Sequence, residues 1–197
     1  MSAGVVVGLL LAAGESRRMR GGNKLLREWG GEPLIRRIAK TALGSQLDSL
    51  LAVVGHESDA VQKALEGLEI EFVLNPKYAQ GMGSSLSAGV ERVRERADAV
   101  VILLGDMPRI QSSTIDTVLA RWRQGGLCVV HCGSVDSPRP PTLFSRELFA
   151  DLTALSGDQG ARSIIESKRE RSGIVTVEPA ELSDFDESSD WPDAEAP

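Results

Sequence analysis

The sequence predicts an α/β protein with a mostly parallel sheet and helices on both faces, and three observations carry that expectation. Short apolar runs rich in β-branched residues recur along the 197-residue chain, at residues 5–11, 50–54, 99–104 and 127–130, as strands buried on both faces require. Segments with helical apolar spacing separate them, and repeated strand–helix–strand units with right-handed crossovers lay strands parallel. Glycine-rich or charged loops follow the strands, and open sheets of this kind bind ligands outside the carboxyl ends of their strands.

Residues 5–11 form the first strand. It leads into a loop, residues 12–24, in which small residues let the backbone come close to a ligand while Arg17, Arg18, Arg20 and Lys24 supply positive charge. Such a loop suits phosphate. It is not a P-loop, because Lys24 is preceded by Asn23 and followed by Leu25. It is not a dinucleotide fingerprint either, because Ser16 and Met19 stand where the later glycines belong.

Pro33, in the first turn, opens a helix bearing Leu34, Ile35, Ile38, Ala42 and Leu43. Residues 50–54 are the second strand, ended by Gly55 and His56, and Ser58 caps a helix over Val61, Ala64 and Leu65. A third strand over residues 70–74 stops at Asn75-Pro76, since the residue before proline is biased away from helix. The turn at residues 81–86 runs into a helix with Leu86, Val90 and Val93 on one side. The fourth strand, residues 99–104, ends in Gly105-Asp106-Met107-Pro108, which puts a carboxylate at the carboxyl end of a buried strand.

Ser112 or Ser113 caps the next helix, which carries Ile115, Val118, Leu119 and Trp122, and residues 127–130 are the fifth strand. Residues 134–141 read as a loop that shapes a substrate mouth, and residues 142–144 as a short strand. Ser145 caps a helix over Leu148, Phe149, Leu152 and Leu155. The turn at residues 156–162 leads to a helix with Ile164 and Ile165, and residues 174–177 are the last strand. Alternation along the fifth strand sets Cys128 and Cys132 on one face and His131 on the other. The two cysteines read as buried free thiols.

The net charge of −6 is unevenly spread: residues 178–197 hold eight of the 28 acidic side chains and no basic ones, leaving 20 acidic against 22 basic elsewhere, about +2. The low pI is therefore a property of the tail and says little about whether the body attracts an anionic nucleotide. No basic, aromatic-studded face suggests nucleic acid, and no apolar run reaches the roughly 18 residues that span a membrane. The first apolar run has no basic segment before it, so it reads as a strand and the cytoplasm is the expected location. One domain is expected over residues 1–187, followed by an acidic tail, 188–197, whose composition cannot bury a core.

Leu11-Ala12-Ala13-Gly14, Ser16, Arg18, Met19 and Lys24 resemble the signature loop of the MobA-like NTP transferases, in particular the molybdenum cofactor cytidylyltransferases. Asn75-Pro76, Gly81-Met82 and Ser84-Ser85-Leu86 resemble that family's second nucleotide-contact segment, and Leu104-Gly105-Asp106-Met107-Pro108 its metal-binding turn. The stretch from Ser156 to Arg162 is similar to the Gly-Asp-x-Gly-Ala-Arg element of the cytidylyltransferase branch, and Asp184-Phe185-Asp186 to its closing Asp-Ile-Asp. Arg139-Pro140-Pro141 departs from the Gly-x-Pro common in the family.

The resemblance implies a three-layer, Rossmann-like nucleotidyltransferase fold. It implies nucleotide contacts from Leu11, Ala12, Ala13, Gly14, Lys24, Asn75, Gly81 and Ser85, with Arg18, Lys24 and Asp106 catalytic. Asp106 and Asp186 would hold Mg²⁺, with Mn²⁺ as a substitute, and Asp158 and Arg162 would contact the acceptor. The activity implied is transfer of CMP from CTP to the phosphate of molybdopterin, with pyrophosphate released and a molybdoenzyme or maturation protein as downstream partner. Ala13 favours cytosine, because the guanylyl-transferring branch has Gly-Gly where this chain has Ala13-Gly14. Two alternatives stay open: a nucleotidyltransferase acting on a sugar phosphate or isoprenoid precursor, and a nucleotide-binding accessory protein without turnover. The chemistry needs positive charge and a cation rather than a Ser, Cys or His nucleophile.

Overall fold

The structure, a computed structural model, describes residues 4–16, 22–157 and 160–185. Its strands and helices follow the predicted alternation: β1 (Val6–Ala12), a short hairpin of β2 (Glu28–Trp29) and β3 (Glu32–Pro33), α1 (Leu34–Leu43), β4 (Ser49–Val54), α2 (Ser58–Ala64), β5 (Glu71–Leu74), α3 (Met82–Val93), β6 (Ala99–Leu104), α4 (Ser112–Arg123), β7 (Val129–Gly133), β8 (Pro138–Ser145), α5 (Phe149–Thr153), α6 (Arg162–Ser167) and β9 (Ser172–Val175). The main sheet has the order β5-β4-β1-β6-β8-β7-β9. Every neighbouring pair in it is parallel except the two made by β8, which runs antiparallel to β6 and β7.

Alternating side chains of β1 feed two cores. Val6, Leu10 and Ala12 pack with α1, α2 and α4 through Ile35, Ile38, Val61, Ile115 and Val118. Val7 and Leu9 pack with α3, α5 and α6 through Leu86, Val90, Leu152, Ile164 and Ile165. The fold therefore has the three layers expected, with helices on both faces. The chain reverses its direction of travel across the sheet between β1 and β6, whose carboxyl ends lie side by side with Leu11 opposite Leu104. Such a switch point opens a crevice for ligand.

Several local expectations are corrected. Residues 138–141 are strand rather than loop, and only residues 134–137 connect β7 to β8. The Pro-rich half of β8 pairs with β7 around a register shift between His131 and Cys132, whereas its pairing with β6 begins at Thr142. Pro138, Pro140 and Pro141 thus stand at the end of β8 that β6 does not reach, where a missing N–H costs no ladder bond on that side. Ser58 and Ser112 are the first helical residues and not caps: Glu57 and Gln111 precede them, and the Ser112 hydroxyl instead donates to Thr41 O at 2.7 Å. Pro33 precedes α1 instead of lying within it. Ser145 makes no capping bond, because its Oγ accepts from Trp122 Nε1 at 2.8 Å, and the helix after it ends at Thr153. The last strand begins and ends two residues early.

The cysteines are buried free thiols, but they face opposite cores. Cys128 lies before the regular strand begins, so alternation does not reach it; Cys132 joins Val130 on the side of α4.

Candidate functional site

At the switch point the end of β1 and the turn after β6 are tied together by a hydrogen bond from Gly105 N to Leu11 O at 3.2 Å. The first loop returns as a single 3-10 turn, Lys24–Leu26, and its position is fixed from both ends. Lys24 N–H donates to Ser16 Oγ at 3.1 Å, and Leu25 N–H donates to Asn23 Oδ1 at 3.1 Å. Leu25 is buried against the Gly105 turn, where it would stand 3.0 Å from any Cβ added at Gly105. That seating carries Lys24 across the crevice, where its Nζ donates to Asp106 Oδ2 at 2.7 Å.

The pair is largely enclosed, with side chains only 13% and 19% exposed. A charge-assisted bond this short is a strong one. The other carboxylate oxygen, Asp106 Oδ1, is buried without a hydrogen-bond partner among the described residues. An unmet anionic oxygen is costly in a protein interior, so this atom fits a cation ligand. Among the described residues no group of three His, Cys, Asp or Glu is gathered to hold a metal.

Ala12 and Ala13 are buried, and a Cβ at Gly14 would meet nothing within 4 Å. The loop there presents bare backbone to open space. Gly55 holds the neighbouring segment close: a Cβ on it would lie 2.6 Å from Tyr78 Cβ and 2.9 Å from Ala13 Cβ. His56 N–H donates to Ala13 O at 3.3 Å.

The segment from Asn75 to Ser85 folds around the Asn75 amide. Its Nδ2 donates to Ser84 Oγ at 2.9 Å and Ser85 Oγ at 3.0 Å, and its Oδ1 accepts from Lys77 N–H at 2.9 Å. Both amide hydrogens are used internally, so Asn75 shapes the segment. Ser85, 6% exposed, accepts one of them and keeps its own hydrogen to donate. Gly81 adopts φ 104°, open only to glycine at low cost, to turn the chain into α3. Gly83 N–H then donates to Gly157 O at 2.9 Å, which joins the start of α3 to the turn before α6.

Arg162, at the start of α6, is bonded to Glu166 Oε1 at 2.9 Å and Asp136 O at 3.0 Å. It lines a cavity of about 410 Å³ with His131, Arg169, Pro138 and Ile165. The closing segment reaches the site from the other side. Phe185 N–H donates to Asp106 O at 2.9 Å, and its ring is buried against Leu34 and edge-on to Trp29 at 5.5 Å. Arg139 Nη2 fixes the same segment by donating to Leu182 O and Asp184 Oδ1, each at 3.0 Å.

Of the residues singled out in the sequence, Leu11, Ala12, Ala13, Gly14, Lys24, Asn75, Gly81, Ser85 and Asp106 thus belong to elements gathered at one sheet edge. Arg18, Asp158 and Asp186 lie outside the described residues. Three bonding roles are not read from the sequence: the Asn23 cap, the Arg139 bonds to the closing segment and the Phe185 amide. Asn23 carries a sequence signal, a capping residue type just before a short turn; the other two depend on contacts distant in the chain.

Residues 8–172 match the MobA-like NTP transferase domain. The purine catabolism protein PucB of Bacillus subtilis is 30% identical over 210 residues, covering 97% of this chain and 96% of that protein. The nicotine blue oxidoreductase of Paenarthrobacter nicotinovorans is 30% identical over 169 residues, covering 83% and 82%. Among solved structures, Rv0371c of Mycobacterium tuberculosis superposes with a TM-score of 0.83 at 26% identity, covering 96% of this chain and 97% of that one. The same protein in complex with manganese superposes with a TM-score of 0.71, covering 88% of each chain.

Proposed function

The chain belongs to the MobA-like NTP transferase family, a family of nucleotidyltransferases, and from that premise we propose that it transfers CMP from CTP to the phosphate of a molybdopterin acceptor. An acceptor phosphate oxygen attacks the α-phosphorus in line. The new P–O bond forms as the bond to the β-phosphate's bridging oxygen breaks, and pyrophosphate leaves with the displaced charge.

The observation that carries this reading is the Lys24–Asp106 pair at the switch point, with one carboxylate oxygen bonded to the lysine and the other buried and unmet. Lys24 would shift from Asp106 to the β,γ-phosphates and neutralise charge on the leaving group, with Arg18 as a second cation. The backbone of Leu11, Ala12, Ala13 and Gly14 would lie along the nucleotide. Ser85 would donate to it, while Asn75 and Gly81 hold the second segment in shape. Asp106, with Asp186, would hold Mg²⁺ or Mn²⁺, and the related Rv0371c has been crystallised with manganese. When bound, such an ion supplies charge neutralisation at phosphate oxygens.

Ala13 supports cytosine, and the Ser156–Arg162 stretch supports a molybdopterin acceptor contacted by Asp158 and Arg162. Relatives named for purine catabolism and for an oxidoreductase are in keeping with a chain that serves an oxidoreductase. Among the described residues no helix is long and apolar enough to cross a membrane, and we place the activity in the cytoplasm, with delivery to a molybdoenzyme or maturation partner.

The test is pyrophosphate release with Mg²⁺, crossing CTP, GTP, ATP and UTP with molybdopterin, sugar-phosphate and isoprenoid acceptors. CTP with molybdopterin should give the highest kcat/KM. A sugar phosphate or isoprenoid acceptor turning over faster would replace the acceptor assignment, and nucleotide binding with no release for any pair would make the chain an accessory protein.

A further inference from the structure

Asp106 Oδ1 is one of two buried side-chain atoms without a hydrogen-bond partner among the described residues; the other is Asn23 Nδ2. The two have opposite polarity, one an acceptor and one a donor, and Lys24 joins them: it follows Asn23 in the chain and bonds Asp106 in space. The cation reading accounts for the first. Nothing described so far uses the second.

Asn23 is 7% exposed, so its amide is almost wholly withdrawn from bulk water. Its orientation is not free. Oδ1 accepts the Leu25 N–H and closes the 3-10 turn, with Asn23 in an extended conformation of φ −73° and ψ 113°. Rotating the amide by half a turn would set its NH₂ against that N–H, two donors facing each other. The NH₂ is therefore pinned by its own oxygen and is left with nothing to donate to among the described residues. Capping alone does not call for this residue, since Ser, Thr or Asp would accept the same N–H. What asparagine adds is the donor pair.

We propose that Asn23 Nδ2 donates to a non-bridging phosphate oxygen of the bound nucleoside triphosphate, as a substrate-positioning residue beside Lys24. This rests on the reading of the loop as a triphosphate site. A fixed neutral donor complements the lysine: the ammonium neutralises charge from a flexible stem, whereas the amide, held in the turn, defines where one oxygen must sit.

The experiment measures CTP affinity by calorimetry and melting temperature without ligand, in the full chain and in Asn23→Ser, Asn23→Thr, Asn23→Asp and Lys24→Ala. Serine and threonine keep the cap but exchange the NH₂ held in the amide plane for one hydroxyl hydrogen on a shorter side chain that does not reach as far, and aspartate keeps the cap with no donor at all. The serine and threonine variants should melt with the parent and bind CTP roughly ten- to hundredfold more weakly, and aspartate, which adds a negative charge, should bind more weakly still. Parental CTP affinity in any cap-retaining variant that melts with the parent overturns the assignment. So does a loss of stability in all three with CTP affinity unchanged, which would leave the amide a purely structural duty. If Lys24→Ala weakens binding and the Asn23 variants do not, this inference falls alone; if the parent chain binds no nucleoside triphosphate, the functional reading falls with it.

Discussion

Lys24 and Asp106 each hold the charge the other needs while no nucleotide is bound. Replacing Lys24 by alanine removes a charge-assisted contact to phosphate and leaves the Asp106 carboxylate facing the triphosphate, so CTP binding should weaken by about 1.5–3 kcal/mol, read by calorimetry. Asp106→Asn should abolish most turnover, because it removes a charged ligand from the cation, yet leave metal-free CTP binding unchanged or tighter once the repulsion is gone. Full activity in Asp106→Asn would refute the metal assignment. At this scale the sequence was informative where a charge followed a strand, as at Lys24 and Asp106. It was silent where burial decides the role. Asn23 reads as one more polar loop residue until the turn withdraws it from water, and Asn75 reads as a ligand contact until both amide hydrogens are seen to serve Ser84 and Ser85. Burial also acts on Cys132: desolvation, with a smaller contribution from Glu181, pushes its thiol from about 9 up to about 12. The folded state therefore favours the protonated thiol. That stability is fully present below about pH 9 and is lost as pH rises toward 12, so the denaturant midpoint should fall over that window and fall less in Cys132→Ala.

Two elements meet where Gly55 lets the Tyr78 segment and the Ala13 loop approach. Alanine there would place a methyl 2.6 Å from Tyr78 Cβ and 2.9 Å from Ala13 Cβ, so one of the two must move. Gly55→Ala should cost about 1–3 kcal/mol in denaturant unfolding and also raise KM for the nucleotide, because both displaced segments border the site; a stability loss with parental KM would mean that they move without disturbing it. The repeating strands and helices were legible because apolar runs and 3.6-residue spacing are local properties. The second half of β8 was legible too, as the short strand at residues 142–144, but residues 138–141 were not, since proline-rich composition reads as loop and there only the neighbouring β7, with its register shift, makes a strand of it. Helix starts were misread for a related reason: Ser58 and Ser112 are good caps by type, but the chain enters each helix one residue earlier.

Across the whole molecule, the end of the described chain returns to α1 and to the turn after β6. Phe185 contributes a ring buried at 1% exposure and a backbone bond to Asp106 O. Phe185→Ala should lower stability by about 3 kcal/mol and cut turnover by more than the unfolded fraction explains, measured at a temperature where the variant is folded. Arg139→Ala should do the second with little of the first, since it frees Leu182 and Asp184 without opening a core. We place the domain boundary near residue 187, so deleting residues 188–197 should leave the melting temperature unchanged; a drop of several degrees would mean that the acidic stretch docks.

The bond from Phe185 to Asp106 would also order events during synthesis. Chains emerge from the ribosome amino end first, so Lys24 and Asp106 are available long before residue 185. A chain still being made, or one cut short ahead of that residue, holds the Lys24 loop but not the brace behind the Asp106 turn. Competence to turn over substrate would then arrive only once residue 185 has been added, and shorter copies would not consume nucleotide.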